Sequence, residues 1–325
     1  MELKNLRQNK HNPLNDNSQQ PSICVLMGYF NGEKFIAEQV KSIMEQSHQN
    51  LTLLILDDAS NNKQAEEISK LKKTYGNKII YQKRVFKVGF VINFLTAVEL
   101  LKNEFDYYAY ADQDDIWFAD KITRAISKLQ QFSPETPNLY CSRTEIVDAS
   151  GRHLGFSPKF VRKPSFKNAL LQNIGGGNTM VFNRATKRLL GMVTDGPTPV
   201  SHDWWSYLIV SGAGGNICYD PVPSLKYRQH GGNLIGENIS MRSKLSRLKK
   251  IFAGRYKSWN DRNIEALDFH SNMLTEKNRE ILVGFQQLKS KHLMQRLGAF
   301  MQVGLYRQKR SEQILFFLAV LLRKV

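Results

Sequence analysis

Short apolar runs alternate with segments of helical spacing along the first third of the chain. Ser22–Met27 is an apolar run of strand type, Gly28-Tyr29-Phe30-Asn31-Gly32 is the turn after it, and Glu33–Gln46 carries Phe35, Ile36, Val40, Ile43 and Met44 at helical intervals. The unit then recurs. Leu51–Leu56 predicts a second strand closed by Asp57-Asp58-Ala59-Ser60, Ala65–Tyr75 a helix, Lys78–Lys83 a third strand, Val91–Lys102 a helix and Asp106–Ala111 a fourth strand. Strands alternating with helices imply a mainly parallel sheet with helices on both faces, and ligands bind beyond the carboxyl ends of such strands. Three of those ends are polar: Gly28–Asn31, Asp57-Asp58 and Asp112-Gln113-Asp114-Asp115. Further on, Leu139–Val147 and Ile217–Tyr227 predict strands, and Ser201–Val210 predicts a helix with His202 and Asp203 in its first turn. Beyond Ser240 the chain reads as helical and basic.

The acidic cluster changes the picture most. Three carboxylates within four residues repel one another and are costly beside a core unless a cation or hydrogen-bond donors compensate them. At a strand end they suit Mg²⁺ or Mn²⁺, which takes its remaining ligands from water and substrate phosphates. The plain alternative is a solvated turn in which Asp112 or Asp115 caps the helix from Ala119 onward. Asp57 and Asp58 suit either nucleotide recognition, through an imide N–H or ribose hydroxyls, or an Asx-turn. No Gly-x-Gly-x-x-Gly loop and no Walker loop accompanies them. Asp203 at a helix start reads as a general base or a cap. Trp204 and Trp205 suit sugar stacking or core packing, and His230 is a metal ligand, a phosphate donor or structural.

Composition sets the scale and charge points to a partner. A chain of 325 residues with 42% apolar content supports one large domain with an appendage, or two domains. Cys24, Cys141 and Cys218 are far apart and have neither disulfide nor metal spacing, which favours a reducing compartment. Net charge is +17, and from Met241 onward 18 Lys and Arg stand against 6 Asp and Glu. Arg242, Lys244, Arg247, Lys249, Lys250, Arg255 and Lys257 around Leu245, Leu248, Ile251 and Phe252 predict a basic amphipathic helix suited to an anionic membrane surface. A nucleic acid is not the expected partner, because three acidic strand ends would repel it. Residues 1–20 read as a disordered polar tail without a signal peptide. The apolar run Ile314–Leu322, nine residues long, is too short to span a bilayer. The expected organisation is the tail over 1–20, a catalytic domain over 21–239 and a basic helical extension over 240–325.

Val25–Phe35 and Ile55–Ser60 resemble the opening elements of the family 2 glycosyltransferases, and Asp112–Asp115 resembles their Asp-x-Asp-Asp metal motif. The wording Asp-Gln-Asp-Asp-Ile-Trp is similar to the rhamnosyltransferase-like subset of surface-polysaccharide and O-antigen assembly. Lys87-Val88-Gly89 with Asn93-Phe94, Gly177–Asn183, His202-Asp203 and Tyr227–Asn233 fall in that subset's order. Tyr29, Ala59 and the Gly177-Asn178 pair depart from its usual residues. The resemblance implies a GT-A-type fold and inverting transfer. It places Tyr29, Asn31, Asp57, Asp58, Asn93, Asp112 and Asp114 at the nucleotide, and Asp115, Asp114 and His230 at a Mn²⁺ or Mg²⁺ ion, with Asp115 as the foremost ligand. Asp203 would be the base, and Gly177, Asn178, His202, Trp204 and Trp205 would form the acceptor side. The implied partners are a nucleotide-diphosphate sugar, with dTDP-rhamnose the suggested donor, and a polyprenyl-linked glycan. The implied location is peripheral, on the inner face of the plasma membrane. A metal-dependent nucleotidyl- or phosphotransferase on a similar sheet, without a sugar acceptor, is the alternative.

Overall fold

A computed structural model describes residues 20–61, 65–101, 105–230 and 255–324. The expected polar tail up to residue 19, Gly231-Gly232-Asn233 and the basic stretch from Arg242 to Lys250 lie outside the described residues. The strands are β1 (Ile23–Tyr29), β2 (Leu51–Asp57), β3 (Ile79–Lys83), β4 (Tyr107–Ala111), β5 (Ile116–Trp117), β6 (Asn138–Ser142), β7 (Glu145–Val147), β8 (His153–Phe156), β9 (Val181–Asn183), β10 (Asn216–Asp220) and β11 (Leu225–Arg228). The helices are α1 (Ile36–Met44), α2 (Ala65–Tyr75), α3 (Phe90–Leu100), α4 (Lys121–Leu129), α5 (Phe166–Ala169), α6 (Arg184–Gly191), α7 (His202–Gly212), α8 (Arg255–Phe269), α9 (Glu276–Gln287), α10 (Leu293–Val303) and α11 (Arg310–Leu321).

Seven strands form one sheet in the order β10-β6-β9-β4-β1-β2-β3. It is mainly parallel, as expected, and β9 alone runs against its neighbours β4 and β6. Alternation along β1 builds the two cores. Ile23, Val25 and Met27 face apolar residues of α1, α2 and α4, while Cys24 and Leu26 face those of α3, α6 and α7. Register puts Tyr29 beside Asp57 and Met27 beside Ala111, so the polar ends of β1, β2 and β4 lie at one edge of the sheet.

Two expected strands are each divided between sheets. Leu139–Val147 splits at Arg143-Thr144 into β6 of the large sheet and β7 of a second sheet ordered β5-β11-β7-β8. Ile217–Tyr227 splits into β10 and β11, and Pro221 and Pro223 mark the break because neither can donate to a ladder. The Ser142 and Ser224 hydroxyls meet at 2.6 Å where the chain changes sheet on both sides. The four-stranded sheet covers the acidic edge: β11 pairs with β5, the strand directly after Asp115.

The C-terminal helices add to a core that already exists. Leu267, Leu282, Phe285, Val303, Phe316 and Val320 belong to the same buried cluster as Phe94, Tyr110 and Trp205. Arg296 of α10 donates to the carbonyls of Val320 and Leu321, tying the start of α10 to the end of α11 in an antiparallel hairpin. Arg307 and Gln308 between them bond to Leu171 and Gln172. Among the described residues no helix is long and apolar enough to cross a membrane.

Candidate active site

The acidic loop is held from below by α1. Gln39 and Ser42, spaced i and i+3, share one face of α1, and Gln46 follows just past the end of the helix. Gln39 Nε2 donates to the Asp112 carbonyl at 3.0 Å, Ser42 Oγ accepts from Trp117 N–H at 3.0 Å, and Gln46 Nε2 donates to the Phe118 carbonyl at 2.8 Å. Gln113 clamps the loop after β1: it accepts from Phe30 N–H at 2.8 Å and donates to the Phe30 carbonyl at 3.2 Å. Gly32 leaves room for that clamp, since a Cβ there would lie 2.3 Å from the Gln113 side chain and displace it.

The three clustered carboxylates have different surroundings. Asp112 is partly exposed. Burial, reinforced by Asp114 and Asp203 and opposed by Lys121, raises its carboxyl above the usual range. The Asp114 carboxylate lies 2.7 Å from His230 Nε2, and the His230 ring packs on Phe35 at 4.9 Å. Asp115 is fully buried, with Oδ2 accepting from Asn178 Nδ2 at 2.6 Å and Oδ1 from Arg228 N–H at 3.4 Å. Asp115, expected as the foremost metal ligand, thus lies in the interior with both oxygens engaged, and the group that meets His230 is Asp114. None of the three caps α4, whose N-cap position is Asp120.

At the end of β2 both readings of the Asp pair have structural content. Asp57 Oδ1 accepts from Ser60 N–H at 2.7 Å, a turn-forming bond, while Oδ2 accepts from the Tyr81 hydroxyl. Asp58 accepts from the N–H groups of Val88 and Gly89 at 2.7 and 2.8 Å. Gly89 has φ +85°, a conformation natural to glycine, and it opens α3. Asp58 therefore fixes the β3–α3 loop with both oxygens. Asn93 has a structural commitment too, accepting from Arg84 at 2.7 Å and donating to the Leu56 carbonyl at 2.9 Å. Tyr29 is buried beside Asp57, and burial, followed by Glu33 and Asp57, pushes its hydroxyl up to about 12. Asn31 accepts from Asn61 N–H at 3.2 Å and its own N–H reaches Ser60 Oγ at 3.0 Å, closing the β1 and β2 loops together.

Across the edge, α7 begins at the opposite wall. Asp203 Oδ2 accepts from Gly177 N–H at 3.2 Å; Oδ1 accepts from Trp204 N–H at 2.6 Å and from the Ser201 hydroxyl. His202 stacks on Phe94 at 4.0 Å and meets Tyr110 edge-on at 4.8 Å. Burial holds its ring neutral, pushing the pKa down to about 4. Gly177 packs against that ring, because a Cβ would stand 2.3 Å from His202 Nε2. Trp204 and Trp205 correct the expectation of an acceptor platform: both lie in the core, and the Trp204 indole donates to the Ala169 carbonyl at 2.7 Å. The eleven-residue α7 is buried along nearly its whole length, so its aromatic residues supply packing.

Two buried cations were not anticipated. Lys121 is fully buried, with Nζ 3.3 Å from the centre of the Trp117 ring and donating to the Asn178 carbonyl. Burial pulls its amine well below the usual range, against the opposing pull of Asp115 and Asp112. Its signal was a lysine on the apolar stripe Lys121, Ala125, Leu129 of an amphipathic helix. Arg228 reaches the Asp114 and Ala149 carbonyls, both at 3.0 Å, and pairs with Glu38 at 2.5 Å.

The arrangement sets carboxylates and polar turns at the ends of parallel strands, with Asp203 at a helix start close enough to Asp112 for its charge to act on it. The chain belongs to glycosyl transferase family 2, whose model matches residues 24–190, and it is a glycosyltransferase that uses a nucleotide-sugar donor. It is 31% identical over 229 residues to the dTDP-rhamnosyl transferase RfbG of Shigella flexneri, covering 68% of this chain and 78% of that protein. Its fold is GT-A-type. It is similar to the mannosyltransferase PcManGT of Pyrobaculum calidifontis, solved with GDP-Man and Mn²⁺, with a TM-score of 0.53, 14% identity, and 94% and 81% of the two chains covered. It is also similar to TarS residues 1–349 of S. aureus, solved with UDP-GlcNAc, with a TM-score of 0.52, 13% identity, and 88% and 93% coverage.

Proposed function

We propose that the protein is an inverting, metal-dependent rhamnosyltransferase. It moves L-rhamnose from dTDP-rhamnose to a hydroxyl of a growing, polyprenyl-linked cell-surface polysaccharide. The observation that supports the reading is that Asp203, at the start of α7, is close enough to Asp112 for its charge to act on it. The likeness to a dTDP-rhamnosyl transferase supports the sugar and the nucleotide. Asp57, at the end of β2 beside Tyr29, is the group for the base and ribose, with Asn31 and Asp112 bordering the same edge. Asp58 and Asn93 hold the loop and helix that shape that pocket.

Among the described residues no three His, Cys, Asp or Glu side chains are grouped as metal ligands. Asp114 and His230 are in contact and fit an ion that takes most of its ligands from diphosphate and water. These two residues would hold Mn²⁺ or Mg²⁺, which when bound supplies Lewis-acid stabilisation of the leaving diphosphate. Asp203 accepts the proton of the acceptor hydroxyl as its oxygen forms the new bond to the anomeric carbon. The anomeric carbon–oxygen bond to the diphosphate breaks on the opposite face, and dTDP departs with the electron pair.

The surface of the C-terminal hairpin supports peripheral attachment to the cytoplasmic face of an anionic membrane. Ile314 and Leu318 are exposed on α11 with Leu322 exposed just past its end, and Met294 and Met301 are exposed on α10. Exposed Lys309 and Arg310 stand at one end of the hairpin, and Lys291, Arg323 and Lys324 at the other. An uncharged apolar face with basic ends suits anionic lipid.

The test is product formation with purified protein, a synthetic polyprenyl-diphosphate glycan, and dTDP-rhamnose, UDP-glucose or GDP-mannose, each with Mn²⁺ or EDTA. Metal-dependent transfer from dTDP-rhamnose alone supports the reading. Transfer from another donor corrects the sugar, and turnover unchanged by EDTA removes the metal.

A further inference from the structure

One loop joins the two walls of the cleft. At Gly177 its N–H meets the base candidate, Asp203 Oδ2, at 3.2 Å. At the next residue Asn178 Nδ2 meets Asp115 Oδ2 at 2.6 Å, and the Asn178 carbonyl takes the Lys121 ammonium. Asn178 and Lys121 are both buried, with Lys121 seated on the Trp117 ring. A buried lysine is costly unless charges and acceptors compensate it. Here the compensation comes from a carbonyl, an aromatic face and the Asp115 and Asp112 carboxylates. Asn178, with its side-chain amide nitrogen and main-chain oxygen turned inward and 4% of its surface exposed, is poorly placed to bind an acceptor.

We propose that Asn178 and Lys121 are positioning residues that couple the donor-side acidic loop to the general base. Lys121 and Asp115 fix Asn178 from two sides, which sets where the Gly177 N–H points. That N–H orients Asp203 and stabilises its ionised form, the form that accepts a proton. Gly177 itself packs closely against the His202 ring, where an added Cβ would stand 2.3 Å from Nε2. The inference rests on the reading of Asp203 as base. Tyr110, Asp112 and His202 are the other ionisable groups that act on or lie beside Asp203.

The experiment is a kinetic comparison of Asn178→Ala, Lys121→Met, Asp203→Asn and the double variant Asn178→Ala/Asp203→Asn, with melting temperature and dTDP affinity measured on each. Asn178→Ala is expected to lower kcat by roughly 10- to 100-fold, the scale of a misplaced catalytic group, while leaving dTDP affinity and donor KM near wild type. The loss should fall on kcat and leave donor KM unchanged, a split that a merely structural role of Asn178 would not produce. In the Asp203→Asn background the Asn178 change should cost nothing further. A kcat unchanged from wild type in Asn178→Ala, or a full additional loss in the double variant, overturns the coupling. If Lys121→Met does not fold, the Asn178 pair decides alone. Wild-type turnover in Asp203→Asn overturns the base itself, an outcome distinct from failure of the coupling.

Discussion

The two sides of the large sheet contribute to the site in different ways. On the β1–β4 side each functional group follows directly from the end of its own strand, and the strands are neighbours in space as well as in the parallel pattern. On the β6–β10 side the groups come from a loop, a helix start and a strand of the second sheet, brought together from residues far apart in sequence. Asp114 meets His230 from 116 residues away, and Asp115 meets Asn178 from 63. The donor side is a local code repeated three times. The opposite wall exists only when both sheets are assembled, and so the two sides should fail differently when perturbed.

The largest difference is expected between Asp114→Asn and Asp203→Asn. Both should lower kcat by roughly 10²–10⁴-fold, but only Asp114→Asn should also remove Mn²⁺-dependent dTDP binding, as read by calorimetry. Equal loss of binding in both would erase the division between the walls. Next comes a pH effect confined to the α7 side. His202 is neutral in the fold with a pKa of about 4, against an ordinary 6.5. The unfolded chain binds that proton first, so the contribution is complete above pH 6.5 and is lost as pH falls toward 4, on the order of 3 kcal/mol. Chemical denaturation across that window should therefore be steeper in wild type than in His202→Leu.

A smaller, paired test compares one loop on each side. Asp58→Ala leaves two N–H groups at the β3–α3 loop without their acceptor, and should cost about 1–3 kcal/mol of stability. Gly177→Ala forces a Cβ onto His202 and should cost about 1–3 kcal/mol as well. Only the second should also lower kcat at unchanged dTDP affinity, because of the two only Gly177 bonds to Asp203. The smallest folding effect belongs to the hairpin. Ile314→Asp with Leu318→Asp should change stability by less than about 1 kcal/mol, as surface substitutions do, yet abolish sedimentation with phosphatidylglycerol vesicles. Retained sedimentation would place the membrane contact elsewhere on the chain.

Much of the donor side was legible. The strands ending at Tyr29, Asp57 and Ala111 lie within two residues of their expected bounds, because apolar runs closed by Gly, Asn or Asp leave few alternatives. The long runs Leu139–Val147 and Ile217–Tyr227 were less informative. Their breaks are made by pairing with other strands, although Pro221 and Pro223 announced the second one. Trp204 and Trp205 show a related ambiguity: an aromatic pair has the same spelling in a sugar platform and in a core, and burial by α8 and α5 settles it.

By itself the sequence determined the parallel α/β frame, the edge at which the carboxylates gather, and the family. Each of these rests on short-range periodicity and on residues adjacent in the chain. Tertiary structure alone decided which carboxylate faces His230, which is buried against Asn178, and that Lys121 lies among them. Those outcomes depend on burial and on partners 57 to 116 residues away. Desolvation and charge pairing are properties of an assembled environment, and no spacing along one chain can encode them locally.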